Sequence, residues 1–541
     1  MKTIINIKEN KFWKIYSNQK CKLWLKGYFN THLPLEVMNG LNEIEFSKID
    51  DFIKSLKGRY ALVFKNKSYC ILLVDRIRST PMHFSIINKV LHISDLSNEI
   101  IRKKFFENDI NSQAVKEISM SGFVIGSKSV YSNLITPLAG EYYIFSNKKV
   151  IKRSYFSYFG KISNNNYSDL ISELESITVS IFEKLLKKVG QRQIVIPLSA
   201  GNDSRLVVSI LKYLGAKNVK CYSYGQKNNF ESKVSKEIAK KLDYDWIFIP
   251  LTHLSEKIFY NSIEYKNFLE YADNHHSAIP FIQSISTFNY LKKEKYINKD
   301  SVFINGNSGD FISGGHINNL YKKIKKLKNK KTLKKVILNE LVHKHFSLWG
   351  FLKNKENLRY LRNELWDSIT KKCDKLNINN AHLFYEYSEF IDRQSKYVVS
   401  GQRVYEFHNF DWELPLWDDK YLFFWKKVPA KYKFKQKLYL DMLKKNNFGG
   451  VWTNDFPINN KEIRPIWLIP IRFLFKIPFA FFGNSGRRLW HQFDVNVFQY
   501  WIDPTLIICS TSYLEILKDF FKKPRNAISW LSKKYVKNYG N

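Results

Sequence analysis

The hydrophobic pattern is clearest between residues 193 and 215, where an apolar run precedes a polar turn and a helical repeat. The run from Ile194 to Leu198 predicts a buried strand of a parallel sheet. A small polar turn follows at residues 199–204, and apolar residues then recur at helical spacing as far as Leu214. Gly215 supplies the residue type that commonly ends a helix. This stretch therefore predicts a strand, a tight turn and a helix.

The alternation of strands and helices continues downstream and predicts a doubly wound parallel sheet. Further strands are predicted at Val219–Tyr224, Trp246–Ile249 and Val302–Ile304. Ligands of such sheets bind beyond the carboxyl ends of the strands. We therefore expect the ends of the first two strands to share one rim, at Leu198, Ser199, Ser223, Tyr224 and Gly225.

The first part of the chain has a different pattern, with short apolar runs separated by turns from Lys22 onward. Leu56–Phe64 and Cys70–Arg76 predict a hairpin of an antiparallel sheet. A polar stretch rich in Asn and Ser, at 161–169, suits a linker. A chain of 541 residues is also too long for one core. We therefore predict three parts, at residues 1–160, 170–450 and 451–541.

Two turns rich in glycine, serine and asparagine carry the candidate chemistry. The turn at 199–204 directs backbone N–H groups and the positive end of a helix dipole at one point, as phosphate-binding turns do. The GxxxxGK[ST] spacing is missing, which argues against a Walker-type site. The stretch Asn305–His316 places four glycines around Asp310 and offers an anion and magnesium position facing the first turn. A purely structural turn is the alternative for each.

The first turn, Ser199-Ala200-Gly201-Asn202-Asp203-Ser204, resembles the pyrophosphate loop Ser-Gly-Gly-x-Asp-Ser of ATP pyrophosphatases. The resemblance implies a PP-loop domain of the adenine-nucleotide alpha-hydrolase fold, which cleaves ATP between its α and β phosphates. It also implies that Mg²⁺ is held through Asp203 and Asp310. The residues expected to bind the nucleotide are Leu198, Ser199, Ala200, Gly201, Asp203, Ser204, Ser223, Tyr224, Gly225, Gly306, Asn307 and Gly309.

The second turn resembles the Ser-Gly-Glu-Gly-x-Asp-Glu-x-x-Gly-Gly-Tyr segment of the asparagine synthetase family, in which Asp310, Gly314 and Gly315 match. Asn307 and Phe311 stand where that family has two glutamates, so asparagine synthesis from aspartate is not implied. The segment 413–418 is similar to the RxPFLD segment of the same family, with glutamate in place of arginine. Both departures imply a changed pocket for the acid substrate.

The N-terminal part is similar to the glutaminase-like domain of this family, through Gly58–Ala61, the pair Asp75-Arg76 and the stretch Leu134–Glu141. The resemblance implies an Ntn-hydrolase-like αββα sandwich ahead of the PP-loop domain, which ends in a helical C-terminal part. In that family the nucleophile is a cysteine at position 1, whose α-amino group is the base. This chain starts with Met1-Lys2. We therefore expect a glutaminase-like fold without the activity and an ammonia or amine donor from elsewhere.

The family also implies a lysine near the end of the synthetase domain, which neutralises charge on the phosphate and acyl oxygens. The lysine-rich run at 431–439 contains two candidates, Lys435 first and Lys437 next. A base for the incoming amine is needed as well. Glu406, Glu389 and Tyr405 are candidates for that base, and their spacing does not choose among them.

Charge and apolar segments bear on the partners. Lys+Arg 87 against Asp+Glu 49 gives a net charge of +38, which indicates either an anionic partner or drift in an AT-rich coding sequence. The lysine run at 321–335 predicts a solvated helix face or a docking strip for a phosphorylated or lipid-linked substrate. Pro465–Gly483 is apolar but broken by prolines and charges, which predicts buried core or peripheral membrane contact rather than a spanning helix.

Five scattered cysteines without a CxxC pair, and an N-terminus without a long apolar stretch, predict a cytoplasmic protein. The resemblance implies an ATP-dependent amide-forming ligase that activates a carboxylate as an acyl-adenylate. The expected substrate is a uronic acid on a nucleotide- or lipid-linked sugar of bacterial surface polysaccharide. Two alternatives stay open, a PP-loop enzyme that modifies tRNA and a scaffold without catalysis. Nucleic acid is therefore a possible but not a favoured partner.

Overall fold

The computed structural model describes residues 2–146, 149–273, 276–280, 285–327, 332–370, 375–458, 466–502, 511–523 and 529–539. Within these ranges the chain forms two N-terminal β-sheets, a parallel sheet in the middle and helices after it. The antiparallel pattern of the first part of the sequence and the strand–helix alternation of the second part predict these sheets in the same order.

Nine strands form the N-terminal sheets: β1 (Lys2–Ile5), β2 (Trp13–Ser17), β3 (Cys21–Phe29), β4 (Gly58–Asn66), β5 (Tyr69–Val74), β6 (His83–Ile87), β7 (Val90–Ser94), β8 (Glu141–Ser146) and β9 (Val150–Ser154). The larger sheet is antiparallel and has the order β2-β3-β4-β5-β8-β9. The smaller sheet has the order β1-β7-β6.

Alternating side chains of the larger sheet build two separate cores. In β4, Ala61 and Val63 pack in the cluster that contains residues of the smaller sheet. Leu62 and Phe64 point the other way, into a cluster with α1 (Pro34–Glu43) and α2 (Ile49–Ser55). The short helix α3 (Asn98–Ile101) covers the far side of the smaller sheet, where Ile100 is fully buried, and α4 (Ser112–Ser121) follows. This is the αββα layering that the resemblance implied.

Five strands form the second domain's sheet: β10 (Ile194–Pro197), β11 (Val219–Gly225), β12 (Asp245–Pro250), β13 (Val302–Ile304) and β14 (Asp411–Glu413). Their order is β12-β11-β10-β13-β14, and every neighbouring pair is parallel. The predicted parallel sheet is confirmed. The pattern of the sequence did not predict the edge strand β14.

The helices between residues 167 and 446 are α5 (Tyr167–Val189), α6 (Asn202–Tyr213), α7 (Phe230–Lys241), α8 (His253–Tyr260), α9 (Ile263–Asp273), α10 (Thr287–Lys293), α11 (Gly309–Ile312), α12 (Asn318–Lys325), α13 (Leu333–His345), α14 (Lys355–Thr370), α15 (Ala381–Ser388), a π-helix (Glu389–Val399), α16 (Arg403–Phe407), α17 (Asp419–Trp425), α18 (Ala430–Lys433) and α19 (Lys437–Asn446). Residues 328–331 of the predicted lysine run lie outside the described residues.

The C-terminal part is helical, with α20 (Leu468–Ala480), α21 (Gly483–Phe493), α22 (Gln499–Ile502), α23 (Tyr513–Lys522) and α24 (Ser529–Val536). Most side chains of α20 are exposed, so the buried-core interpretation of this apolar stretch is wrong for the described residues. The largest core cluster joins Ala114, Ile196 and Tyr535 and therefore crosses the predicted boundaries near 160 and 450. The division into three parts stays a prediction.

Candidate active site

The strand order brings the two predicted turns to neighbouring positions. From β10 the chain proceeds outward to β11 and β12 on one side, and to β13 and β14 on the other. The ends of β10 and β13 therefore flank the point where the strand order reverses, which is where ligands of open parallel sheets bind. The turns at 199–204 and 305–316 follow these two strands directly.

Hydrogen bonds between its own serines hold the first turn in shape. The Ser199 N–H donates to Ser204 Oγ at 3.1 Å, and the Gly201 N–H donates to Ser199 Oγ at 3.1 Å. Gly201 is the N-cap of α6, so the turn leads directly into the positive end of that helix. This combination of a narrow turn and a helix N-terminus favours the binding of a phosphate group.

Arg205 supports the first turn from behind, a contact that the sequence analysis missed. Its guanidinium donates to the carbonyl oxygens of Ala200 and Phe456, both at 2.8 Å. The side chain is buried, and burial lowers the pKa of Arg205 to about 10. The turn is thereby tied to the segment that follows the predicted synthetase domain.

Two glycines let the second turn lie directly against the first. A Cβ atom on Gly309 would lie 2.4 Å from Asp203 Oδ1, and one on Gly306 would lie 2.6 Å from the carbonyl carbon of Asp203. No side chain fits at such distances without a shift of the backbone or of Asp203. The close approach lets the Asp310 N–H donate to Asp203 Oδ2 at 2.9 Å.

The two predicted metal aspartates therefore lie side by side. The Asp310 side chain is 55% exposed and borders the cleft. Burial and the neighbouring charge of Asp310 raise the pKa of Asp203 to about 7. Two adjacent carboxylates repel each other, and a bound cation relieves that repulsion.

This pair of carboxylates fits Mg²⁺, which prefers oxygen ligands and commonly takes one or two carboxylates together with phosphate oxygens and water. Among the described residues, no group of three or more His, Cys, Asp and Glu side chains is arranged to hold a metal without such help. The donor set therefore suits a metal that arrives with a nucleotide. Asp203 and Asp310 are the residues that would hold it.

His316 connects Asp310 to a buried glutamate. Its Nε2 lies 2.9 Å from Asp310 Oδ2, and its Nδ1 hydrogen-bonds Glu389 Oε1. Burial alone would lower the pKa of His316, but the charges of Glu389 and Asp310 outweigh it and raise the pKa. Burial likewise raises the pKa of Asp310 by itself, and the hydrogen bond and charge of His316 turn the shift downward. His316 thus keeps Asp310 ionised and oriented.

The two candidate lysines differ in their surroundings. Lys435 is exposed and has a left-handed backbone, with φ of 54°. Its N–H donates at 2.7 Å to Asn318, which in turn donates at 2.9 Å to the Gly315 carbonyl, so the backbone is anchored to the second turn. Lys437 instead pairs with Asp441 at 3.0 Å. The Lys435 backbone is thus tied to the second turn, and the roles of both lysines at the nucleotide stay predictions.

Tyr439 is a site residue that the sequence analysis missed. Its hydroxyl lies 3.4 Å from Asp203 Oδ1, and the side chain is buried. Burial and the charge of Asp203 raise the pKa of Tyr439 well above its ordinary value, so the phenol stays a hydrogen-bond donor. Its only sequence signal is its position four residues after Lys435.

Glu406 does not lie with these residues. Its carboxylate pairs with Lys26 of the N-terminal sheet at 2.7 Å and accepts from Trp412 Nε1 at 3.0 Å. Burial alone would raise its pKa, but Lys26 and Arg403 outweigh burial and lower the pKa to about 2. A carboxylate held in this way cannot serve as the base, and this prediction is corrected.

The other two candidates for the base contact the second turn. Glu389 reaches it through His316. The hydroxyl of Tyr405 accepts from Asn305 Nδ2 at 2.8 Å. Both side chains are buried, so each supports the second turn from the protein interior.

The residues expected to bind the nucleotide at the ends of the strands differ in their surroundings. The Ser223 hydroxyl is buried and bonds Leu198 O and Ser235 Oγ, the latter at 2.6 Å, so it is occupied within the protein. Tyr224 and Gly225 end β11 at the predicted rim. The backbone carbonyl oxygen of Asn307 accepts a hydrogen bond from Trp417 Nε1 at 3.0 Å. The binding roles of these residues stay predictions.

The fold and the site define a PP-loop type of nucleotide-binding domain, with a phosphate turn at the reversal point of a parallel sheet and an aspartate pair beside it. Residues 186–446 match the family model described as asparagine synthase, so this stretch is similar to that family. The resemblance to that family is confirmed. The match supports an ATP-dependent ligase of the amide-forming or amidotransferase kind.

Three solved structures align with parts of the chain. The first is the NH3-dependent NAD synthetase from Campylobacter jejuni subsp. jejuni NCTC 11168 in complex with the nitrate ion, at 15% identity and a TM-score of 0.20, covering 39% of this chain and 99% of that one. A structure titled as the allosteric regulatory enzyme of purine biosynthesis has 9% identity and a TM-score of 0.17, covering 44% and 62%. Glutamine phosphoribosylpyrophosphate amidotransferase from B. subtilis, with ADP and GMP, has 10% identity and a TM-score of 0.17, covering 44% and 73%. No curated protein matches the chain.

Within the described ranges, no helix is both long enough and apolar enough to cross a membrane.

Proposed function

We propose that this protein is an ATP-dependent ligase that activates a carboxylic acid as its acyl-adenylate and converts it to an amide. The observation that supports this most is the contact between Asp203 and the Asp310 N–H, which joins the two turns beside the reversal point. In the proposed reaction a carboxylate oxygen attacks the α-phosphorus of ATP. The bond between the α-phosphorus and the oxygen that bridges it to the β-phosphate breaks, and pyrophosphate leaves. A nitrogen nucleophile then attacks the acyl carbon, loses a proton to a base, and displaces AMP.

Each turn has a distinct part in this proposal. The Ser199 and Ser204 hydroxyls and the Gly201 backbone hold the departing pyrophosphate at the start of α6. Asp203 and Asp310 hold Mg²⁺, which supplies positive charge to the phosphate oxygens. Lys435 supplies further positive charge to the phosphate and acyl oxygens as negative charge develops there.

The acid substrate differs from aspartate in this proposal. Phe311 stands where the asparagine synthetase pattern has its second glutamate, and it is fully buried against Trp417 and His316. That position offers no charge to the amino group of an amino acid. We therefore propose a uronic acid carried by a nucleotide- or lipid-linked sugar.

A basic groove among the helices that follow the second turn supports an anionic substrate. It lies between α12, α13 and α14, has a volume of about 480 Å³, and starts at Asn319, which follows His316 closely in the sequence. Its basic lining residues are Lys322, Lys323, His343, Lys353 and Arg362. Glu340 is the one acidic residue among the lining residues, and it pairs with Lys323. This groove suits the phosphates of a sugar nucleotide.

The amine donor comes from outside the N-terminal domain in this proposal. Cys21 lies buried at the start of β3, and its thiol contacts Asn18 Oδ1 at 3.4 Å. Burial raises the pKa of this thiol, which keeps it protonated and weakly nucleophilic. Free ammonium is therefore the first donor to test.

The experiment combines the purified protein with ATP, Mg²⁺, ammonium and a UDP-linked uronic acid labelled with ¹⁸O in its carboxylate. Formation of the acyl-adenylate transfers one ¹⁸O atom to AMP, which mass spectrometry detects together with the sugar amide. UDP-glucose, which lacks the carboxylate, is the matched control substrate. Release of ADP rather than AMP, or no AMP with any uronic acid tested, would contradict the proposal.

The net charge of +38 favours a second candidate, a PP-loop enzyme that modifies tRNA. The two candidate functions are distinguished by measuring whether nucleic acid copurifies with the protein at physiological salt. Bound tRNA that stimulates pyrophosphate release would favour this candidate, and release that depends on the uronic acid alone would favour the first.

A further inference from the structure

The C-terminal helices carry the largest concentration of exposed apolar side chains in the described part of the chain. Residues 466–493, called the apolar hairpin below, contain α20 and α21. Eleven of the 26 exposed large hydrophobic residues lie there. Phe473, Leu474, Phe481 and Phe482 are between 64% and 83% exposed. A patch of this kind marks an interaction surface.

The exposed positions surround α20 instead of forming one stripe. Successive residues of an α-helix turn by about 100°, so the exposed apolar positions from Ile466 to Ile477 cover an arc of about 240°. In the described part of α20, only Leu468 and Arg472 are buried. A folded protein partner covers a single face of a helix, whereas a helix that is apolar on nearly every side suits surrounding hydrocarbon.

The charges of this region complement an anionic surface. Between residues 466 and 502, four Lys and Arg residues stand against one acidic residue, Asp494. The Arg472 guanidinium donates to Asp494 through Nε at 2.6 Å, and both side chains are nearly buried. The one negative charge is thus compensated, while Lys476 and Arg487 are exposed. Basic residues next to apolar ones are typical of helices that lie in an anionic membrane interface.

The length of α20 limits how deep the hairpin reaches. Its 13 residues span about 20 Å, against about 30 Å for the hydrocarbon core of a bilayer. In the described residues, no helix meets the requirements for crossing. We propose that the apolar hairpin docks this protein on an anionic bilayer by inserting into one leaflet. None of the cleft residues described above belongs to the apolar hairpin, so the proposal does not depend on the proposed function.

Vesicle flotation of the full chain tests the proposal. Vesicles of phosphatidylcholine alone are compared with vesicles that also contain phosphatidylglycerol. The test variant is Phe481→Ser/Phe482→Ser, and the matched control is Leu254→Ser/Ile263→Ser, two residues of similar exposure on α8 and α9. Each Phe transferred to hydrocarbon contributes about tenfold or more in affinity, so the test variant should lose about a hundredfold in its vesicle partition coefficient. Thermal unfolding shows that both variants are folded.

We expect the wild type and the control to float with the anionic vesicles and the test variant to stay in solution. Equal binding of the test variant and the control overturns the role of the hairpin. Equal binding to both vesicle types overturns the preference for an anionic surface. Formation of a dimer that needs Phe481 and Phe482, without vesicle binding, assigns the surface to a second copy of the chain and also overturns the proposal.

Discussion

Two regions of this molecule bury charged side chains in opposite ways. Where the N-terminal sheet meets the second domain, Glu406 pairs with Lys26 at 2.7 Å, and Glu413 pairs with Arg59 at 3.4 Å and with Lys188. Every one of these carboxylates meets a cation. The pKa of Glu413 is lowered because Arg59 and Lys188 outweigh the effect of burial. We call this region the interdomain cluster.

At the cleft, Asp310 pairs with His316, but Asp203 lacks such compensation. Asp203 lies against Asp310, and its pKa is raised to about 7 by burial and by that neighbour. The interdomain cluster holds two parts of the chain together, whereas the cleft holds like charges at a cost that a ligand relieves. The comparison teaches that the lack of compensation, rather than burial of charge as such, identifies the ligand site.

The largest expected effect is on the cleft. Asp310→Asn should lower pyrophosphate release at least about a thousandfold, or about 4 kcal/mol, because the metal loses a charged ligand. Its thermal unfolding temperature should change little, since the substitution removes repulsion from Asp203 together with the pairing to His316. Asp243→Asn is the matched control, because this Asp side chain is 97% exposed. Activity of Asp310→Asn within about tenfold of the wild type would place the chemistry elsewhere.

The next effect separates the two candidate lysines. Lys435→Ala should lower kcat by a few hundredfold, about 3.5 kcal/mol, if its charge acts only on the transition state. Lys437→Ala should change kcat by less than about twofold, because exposed pairs such as Lys437–Asp441 contribute little. Steady-state pyrophosphate release measures both. Equal losses in the two variants would contradict the assignment.

Substitutions in the interdomain cluster should lower the free energy of unfolding and leave activity nearly unchanged. Glu406→Gln leaves Lys26 without its buried partner, which should lower the free energy of unfolding by about 3 kcal/mol. The double variant Lys26→Met/Glu406→Gln should recover much of this loss, as denaturant titration of both can measure. Activity per folded molecule should stay within about twofold of the wild type. A large fall in kcat with unchanged stability would restore Glu406 as the base.

The stability difference between the wild type and Glu406→Gln should depend on pH with a defined sign. The pKa of Glu406 falls from 4.5 to about 2 in the folded protein. Its contribution is therefore fully present above about pH 4.5 and is lost as the pH falls towards 2. Denaturant titration at pH 7 and at pH 3 should show the smaller difference at pH 3.

The sequence predicted the elements whose local pattern is strong. Apolar runs identified β10, β11, β12 and β13, and the turn residues identified both loops of the cleft. The strand β14 was missed because Asp411–Glu413 has two acidic residues in three, and only its pairing with β13 makes it a strand. The pattern could not show that a short polar segment completes a sheet.

The same limit explains the errors at the site. Glu406 was a candidate base because nothing local reveals Lys26, which lies 380 positions earlier in the sequence. Tyr439 and Arg205 were missed because their partners Asp203 and Phe456 are close only after folding. Asp203 and Asp310 were found because each has a glycine-rich turn around it, which is a local signal.

The smallest effect concerns the close contact that holds the aspartates together. Gly309→Ala would place a Cβ atom 2.4 Å from Asp203 Oδ1, so the two turns must separate. Overpacking of this kind should lower the free energy of unfolding by about 1–3 kcal/mol and activity by about tenfold. Gly350→Ala is the matched control, because its Cβ atom would have no neighbour within 4 Å. If Gly309→Ala and Gly350→Ala have the same activity, the contact is dispensable. The difference between the cleft and the interdomain cluster would then rest on charge alone.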